Sequence, residues 1–272
     1  MSASATSTGQ RALRVAAVQT AAVKSVREGL ERATPLVEKA ADQGAELVLL
    51  PELMAVHYIF TEEIWDSAEP ACGATVHWLK ESARRLGIWL GTSFLEADGD
   101  DFFNTFVLMR PDGEEAGRVR KQTPAMFEPW FFRGESGSHV IDTELGRIGV
   151  GICNDNHRSY LPALLQAGGA DLVLMPHCWP IWTEPSGAVS QRDIERWHSI
   201  QTGLAPLYAR LLGIPAVFVN KVGPYFRKEN QHTENYLDGE LVALFTFLNF
   251  AKNAEDFAWK HGRKQNWTGI VA

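Results

Sequence analysis

The chain has 272 residues, a formal net charge of -7, 45% apolar residues and 22% charged ones, usage typical of folded globular proteins rather than disordered or fibrous ones. The acidic balance argues against a nucleic-acid surface, which needs clustered Lys and Arg. The apolar runs fall well short of the roughly 18 to 20 residues that span a bilayer, so the expected partners are small molecules, with no nucleic acid and no membrane.

MSASATSTGQ is small and polar, without the basic start and apolar core of a secretory signal, and residues 1–12 are expected to form a flexible tail. LRVAAVQT then reads as a buried first strand. Thr34-Pro35 supplies an N-cap followed by a first-turn proline, and Leu36, Val37, Ala40 and Ala41 give an apolar face, so a helix is expected from there to near Gly44. ELVLLPEL is a continuous apolar strand stopped by Pro51, as in a parallel strand covered on both faces. A second helix over Val76, Leu79, Ala83 and Leu86 closes at Gly87 and leads into the strand IWLGTSFLE, which makes βαβ alternation and an α/β fold class.

FFNTFVLMR and EAGRVRK flank Pro111-Asp112-Gly113, turn chemistry for an antiparallel hairpin. HVIDT and RIGVGIC form a second hairpin across Glu144-Leu145-Gly146, and together the hairpins imply a mixed sheet. SYLPALLQAG reads as a short helix with Gly168 past its end, and ADLVLMP as a strand halted by its proline. A long helix from about Ala188 to Leu212 carries Ile194, Trp197, Ile200 and Leu204 at helical spacing, and PAVFVNKVG returns as a strand. GELVALFTFLNFA fits a strand or a helix, a choice periodicity does not make for so short a run.

Glu52, Lys121 and Cys153 share one placement, each at the end of an expected strand, where α/β sheets hold their sites. A cysteine just after a buried strand, with Asn154 and Asp155 opening the next turn, can present its sulfur while the following N–H groups point outward. Taken singly, each also has a bland reading: a buried thiol, a turn carboxylate and a solvated lysine. Cys72, Cys153 and Cys178 are odd in number and irregularly spaced, which fits a reducing compartment better than a disulfide framework and leads to a cytoplasmic expectation. His177 and Cys178 lack the companions of a zinc site, so no metal is expected.

AAVQT, ELVLLPEL, GRVRKQ, GRIGVGICND, ADLVLMPHCWP and AVFVNKVG follow one another in an order and character that resemble the nitrilase, or carbon-nitrogen hydrolase, superfamily, over Arg14 to Gly223. The resemblance implies an α-β-β-α sandwich over residues 13–224, assembly into homo-oligomers through outer helices, and hydrolysis of a non-peptide carbon-nitrogen bond in a small amide or nitrile. It implies Cys153 as nucleophile, Glu52 as general base and Lys121 as cationic stabiliser of the tetrahedral intermediate. A thiol of ordinary pKa, about 8.5, is mostly protonated at neutral pH and needs such a base. Attack would form a thioester that water hydrolyses, two easier steps in place of one, with no cofactor required. In KQTPAMFEPWFFRG, Glu128 matches a second glutamate of family amidases and is expected to position substrate or Lys121, which favours an amidase. The alternatives are a nitrilase releasing acid and ammonia, and a catalytically silent binding subunit.

Several positions depart from the family pattern. Asn154 stands where Tyr or Trp is usual, His157-Arg158-Ser159-Tyr160 replaces an aromatic-Pro-Glu run, and His57-Tyr58 replaces Gly-Tyr. Tyr58, Asn154, His177 and Trp179 are the expected substrate contacts; His57 is expected to be a surface histidine, and Trp182 to wall the pocket or pack beside it. Residues 225–272 do not resemble the family's last strands. Should they fail to replace those strands, a sheet edge would lie exposed.

Overall fold

The computed structural model describes residues 12–56, 58, 61–179 and 190–222, and the backbone of 224–225, 233–234, 242–247 and 269–271. The tail before Ala12, His57 and Trp182 lie outside the described residues.

Strands β1 (Leu13–Val18), β2 (Leu47–Leu49), β3 (Glu69–Pro70), β4 (Trp89–Asp98), β5 (Asp101–Met109) and β6 (Glu115–Arg120) belong to one sheet, with helices α1 (Val26–Asp42) and α2 (Ala74–Leu86) between them. Strands β7 (Val140–Thr143), β8 (Gly146–Val150), β9 (Leu172–His177) and β10 (Ala216–Asn220) form a second sheet, with α3 (Tyr160–Ala167) and α4 (Gln191–Leu212) interspersed. The pair β11 (Pro224–Tyr225) and β12 (Thr233–Glu234) stands apart, while β13 (Val242–Phe247) and β14 (Gly269–Val271) extend the first sheet, whose order is β14-β13-β1-β2-β4-β5-β6 with β3 beside β4.

Side-chain alternation builds four layers from these elements. Val15 and Ala17 of β1 face a core shared with Phe106, Ile148, Val150, Leu172, Leu174 and Val217, so the two sheets pack on each other. Ala16 and Val18 face the other way, onto Ala33, Val37 and Ala40 of α1 and Val76, Leu79 and Ala83 of α2. On the far side, Val173 and Met175 of β9 meet Leu161 and Leu165 of α3 and Leu204 and Tyr208 of α4. The order is helices, sheet, sheet, helices. The parallel run β1-β2-β4 and the antiparallel β4-β5-β6 share one sheet, as the mixed pattern required. The two expected hairpins, however, lie in different sheets.

Three local expectations are corrected. Helix α1 starts at Val26 behind Ser25, whose side chain accepts from the Glu28 N–H at 3.2 Å, and Pro35 lies inside it. Thr34 is therefore no cap; its hydroxyl donates to the Leu30 carbonyl at 2.7 Å and accepts from Trp78 Nε1 at 3.0 Å. Pro176 does not halt β9, which runs on to His177 because a parallel pairing with β10 continues through Pro176↔Val219 and His177↔Asn220. Helix α4 begins at Gln191, where Ser190 and Asp193 form a capping box. The ambiguous C-terminal run is a strand at Val242–Phe247, antiparallel to β1 with Leu13 opposite Phe247, and it occupies the edge of β1 that would otherwise be open.

Candidate active site

Glu52 sits in the turn after β2. Pro51 ends the strand, Leu53 takes a left-handed backbone at φ 48°, and β4 holds the turn through Thr92 Oγ1 to the Pro51 carbonyl (2.7 Å) and the Leu53 N–H to Ser93 Oγ (2.8 Å). The carboxylate is fully buried. Its Oε1 accepts from Asn104 Nδ2 of β5 and from Lys121 Nζ, both at 2.7 Å, and its Oε2 accepts from the Cys178 N–H at 2.8 Å.

Lys121 follows β6 directly and is fully buried. Its ammonium donates to Glu52 and, at 2.7 Å, to Glu128 Oε2. Burial pulls its pKa down, but the Glu128 and Glu52 carboxylates outweigh burial and hold it well above the ordinary lysine value, so the group is a fixed cation. Glu128 stands at the start of a 3₁₀ turn, Glu128–Trp130. It also accepts from the Tyr58 hydroxyl and the Ala125 N–H. Burial raises its pKa, against the opposing pull of Lys121.

Cys153 opens a 3₁₀ helix, Cys153–His157, just beyond β8. It has φ 45°, a sparsely populated backbone for a residue with a Cβ, and such outliers gather at functional sites. Gly151 makes the approach possible: a Cβ there would lie 2.0 Å from Asn156 Oδ1. The thiol is 3% exposed. Burial and then Glu52 push its pKa well up, while Lys121 and the Cys178 main chain pull it down. The resting nucleophile candidate is therefore a protonated thiol beside a carboxylate and a cation.

Asp155 ties this turn to the lysine loop. It accepts from the Thr123 N–H at 2.8 Å, the Gln122 N–H at 3.3 Å and the Tyr160 hydroxyl at 2.8 Å. Asn154 donates from Nδ2 to the carbonyls of Thr123 (3.1 Å) and Pro124 (3.4 Å), so its side chain braces the loop and leaves its main chain beside the thiol. His177 is fully buried, 3.0 Å from Asn156 Nδ2 through Nε2. Burial, His157 and Lys121 push its pKa well below the ordinary value, which leaves it neutral. Trp179 is clamped by Asn220, which accepts from its N–H at 2.8 Å and donates to its carbonyl at 3.0 Å. Glu52, Lys121, Glu128 and Tyr58 thus form one hydrogen-bonded cluster with Cys153 beside it, while His177 and Trp179 meet the nucleophile turn at Asn156 and His157. Among the described residues no group of three or more His, Cys, Asp or Glu is placed to hold a metal ion.

A carboxylate, a lysine and a thiol stand at three strand ends, and the comparison of the whole sequence points to one family. The family description for carbon-nitrogen hydrolases matches residues 14–238. The chain belongs to the carbon-nitrogen hydrolase family. Among similar proteins, the N-carbamoylputrescine amidase of Solanum tuberosum is 28% identical over 78% of this chain and 72% of its own. The omega-amidase of Danio rerio is 31% identical over 71% of this chain and 69% of its own. The crystal structure of a carbon-nitrogen hydrolase from Helicobacter pylori shares the fold, with a TM-score of 0.71 at 21% identity, covering 88% of this chain and 83% of that one.

As a carbon-nitrogen hydrolase of the amidase or nitrilase type, the chain has the four-layer sandwich expected of it, and the family match runs past Gly223 to residue 238. Two polar residues of the site escaped the reading of the sequence, Asn104 and Asn220, and Asp155 was read only as opening the turn after Cys153. An Asn in the middle of the apolar run FFNTFVLMR was the one available signal for Asn104, since buried strands rarely carry an amide without a partner. Among the described residues, Cys72, Cys153 and Cys178 form no disulfide with one another, and no helix is long and apolar enough to cross a membrane.

Proposed function

We propose that this hydrolase is an amidase that releases ammonia or an amine from a small linear amide through a thioester on Cys153. The observation that carries the reading is Lys121 held at 2.7 Å by both Glu52 and Glu128, with Cys153 close enough to all three for each to shift its titration. Glu52 takes the thiol proton as the sulfur attacks the carbonyl carbon, and negative charge gathers on the carbonyl oxygen. The Lys121 ammonium and the Asn154 N–H stabilise that charge in a site that excludes water. The proton on Glu52 passes to the leaving nitrogen as the carbon-nitrogen bond breaks. Water, deprotonated by the same carboxylate, then cleaves the thioester and frees the acid.

Glu128 favours amide over nitrile. It anchors the lysine and brings the Tyr58 hydroxyl into the site, so Tyr58 and Glu128 position an amide nitrogen or oxygen beside Lys121. The amidase names of the two relatives from Solanum tuberosum and Danio rerio point the same way. Ammonia release from matched panels of short amides and nitriles tests the reading: turnover of the amides supports it, and turnover of nitriles alone overturns it. No step needs a cofactor.

Exposed apolar residues on the outer helices support a second reading, self-association. Leu207 and Leu211 lie one turn apart on α4, 52% and 60% exposed, and Leu164 of α3 is exposed as well, an apolar strip on an outer helix layer. We propose a homo-oligomer joined there; a monomeric mass in sedimentation equilibrium would contradict it.

A further inference from the structure

Lys221 directly follows β10 and is 1% exposed. Amide hydrolysis by Glu52, Lys121 and Cys153 makes no use of it. Among the described residues its ammonium has one hydrogen-bond partner, the Val56 carbonyl at 3.3 Å. A lysine taken out of water is costly unless an opposite charge repays the lost hydration, and a carbonyl carries none. The compensating charge must lie nearby.

Strand register leads to it. In the parallel pair of β10 and β9, Asn220 lies opposite His177, so the next residues, Lys221 and Cys178, stand side by side. Cys178 packs with Leu53 and Val56 of the turn that presents Glu52, and its N–H donates to Glu52 Oε2 at 2.8 Å. Val56 closes that turn, donating its own N–H to the Leu53 carbonyl at 3.0 Å. The second sheet thus reaches the Glu52 turn by two routes, the Cys178 main chain and the Lys221 side chain. Burial draws the Lys221 pKa below the ordinary lysine value, while Cys178 and Glu52 pull the other way.

Charge balance gives the arrangement a purpose. The Glu52 and Glu128 carboxylates share one ammonium, that of Lys121, while Asp155 is met by donors of its own. Lys121 and Lys221 are the two buried lysines among the described residues. We infer that Lys221 is a positioning residue for the base: its ammonium braces the turn that carries Glu52 and supplies the second cation to the Glu52 and Glu128 pair. This rests on Glu52 acting as the base of amide hydrolysis. The ionisable groups around Glu52 are then Lys121 after β6, Glu128 in its 3₁₀ turn, Cys153 in the nucleophile turn, and Cys178 and Lys221 after β9 and β10. A cation beside a carboxylate favours its charged form, the form that takes the thiol proton.

The test crosses Lys221→Met, which keeps an unbranched side chain and removes the charge, with Glu52→Gln, and reads Tm in thermal melts of all four chains. In the unmodified chain the substitution strands a buried negative charge, and Tm should fall. In Glu52→Gln the surplus charge is Lys221 itself, so the same substitution should leave Tm unchanged or raise it. A role in packing or in the Val56 hydrogen bond alone would lower Tm equally in both backgrounds. Should Lys221→Met not fold in the unmodified background, Lys221→Gln is read in its place. With an amide substrate, the acidic limb of kcat/KM against pH should move up by roughly one unit in Lys221→Met, a displacement that lost packing does not produce. An equal loss of Tm in both backgrounds, failure of both Lys221 variants to fold in either background, or an unmoved acidic limb overturns the inference. The melts need no substrate, which separates the two claims. The change of sign in a chain that turns over no amide would sink the amidase reading and keep the pairing of Lys221 with Glu52; amide turnover with equal losses of Tm would do the reverse.

Discussion

Glu128→Gln removes one charge from the site and almost none of its geometry. The glutamine oxygen can keep the contacts of Oε2 with Lys121 and the Ala125 N–H, and its amide can donate to the Tyr58 hydroxyl, which turns from donor to acceptor. A charge-assisted hydrogen bond contributes about 1.5–3 kcal/mol and roughly twice its neutral counterpart, so about 0.8–1.5 kcal/mol is lost; with each ~1.4 kcal/mol tenfold in rate, kcat/KM should fall roughly 4- to 13-fold. A stability loss of the same size lowers Tm by no more than about 10 °C in a chain of this length. The thiol should respond in the opposite sense. Glu128 is one of the carboxylates that push Cys153 up, after burial and Glu52; without its charge more thiolate is present at a given pH. Alkylation of Cys153 by iodoacetamide, read by peptide mass at fixed pH, should therefore accelerate while amide turnover slows. If both rates fall together, or if turnover is unchanged, Glu128 does not act through Lys121 in the way described.

Two further outcomes follow from the same geometry. In Gly151→Ala the new methyl would meet Asn156 Oδ1 at 2.0 Å and Leu161 Cδ2 at 2.6 Å, pushing Asn156 off the Gly151 carbonyl and His177. Such overpacking costs about 1–3 kcal/mol, which a thermal melt reads as a Tm lower by roughly 2–10 °C; an unchanged Tm would show that the turn yields freely. The pH dependence of Cys153 alkylation has a fixed sign. A pKa raised by burial and by Glu52 means less thiolate at neutral pH than a free thiol has, with the rate still climbing past the free-thiol value of about 8.5. A plateau below that pH contradicts the protonated resting thiol.

Most strands were legible because each is a short apolar run closed by Pro or Gly, and the candidate trio stood out only through motifs that together resemble one family. The failures have specific causes. VREGLERAT carries few fully buried positions on α1, Gly29 and Ala33 among them, so its first two turns lack a strong apolar face and Thr34-Pro35 took the place of the real cap at Ser25. Strand β9 runs through Pro176 because pairing with β10 continues on either side of it, a tertiary fact that local sequence does not carry. The sheet assignment of the two hairpins depends on which faces meet across the inner core. Asn104, Asp155 and Asn220 act on partners far away in the chain: Asn104 on Glu52, Asp155 on the loop after Lys121, and Asn220 on Trp179. Single residues give no sign of such partners until the strands that hold them are side by side.

The account stands on a covalent intermediate at Cys153. Rapid mixing with an amide substrate, acid quenching and intact-mass analysis, followed by peptide mapping, should show an added acyl group with loss of ammonia or amine, located on Cys153 and absent from the Cys153→Ala chain, which should be inactive. Steady amide turnover by Cys153→Ala, or an acyl group found on Cys72 or Cys178 instead, would contradict it.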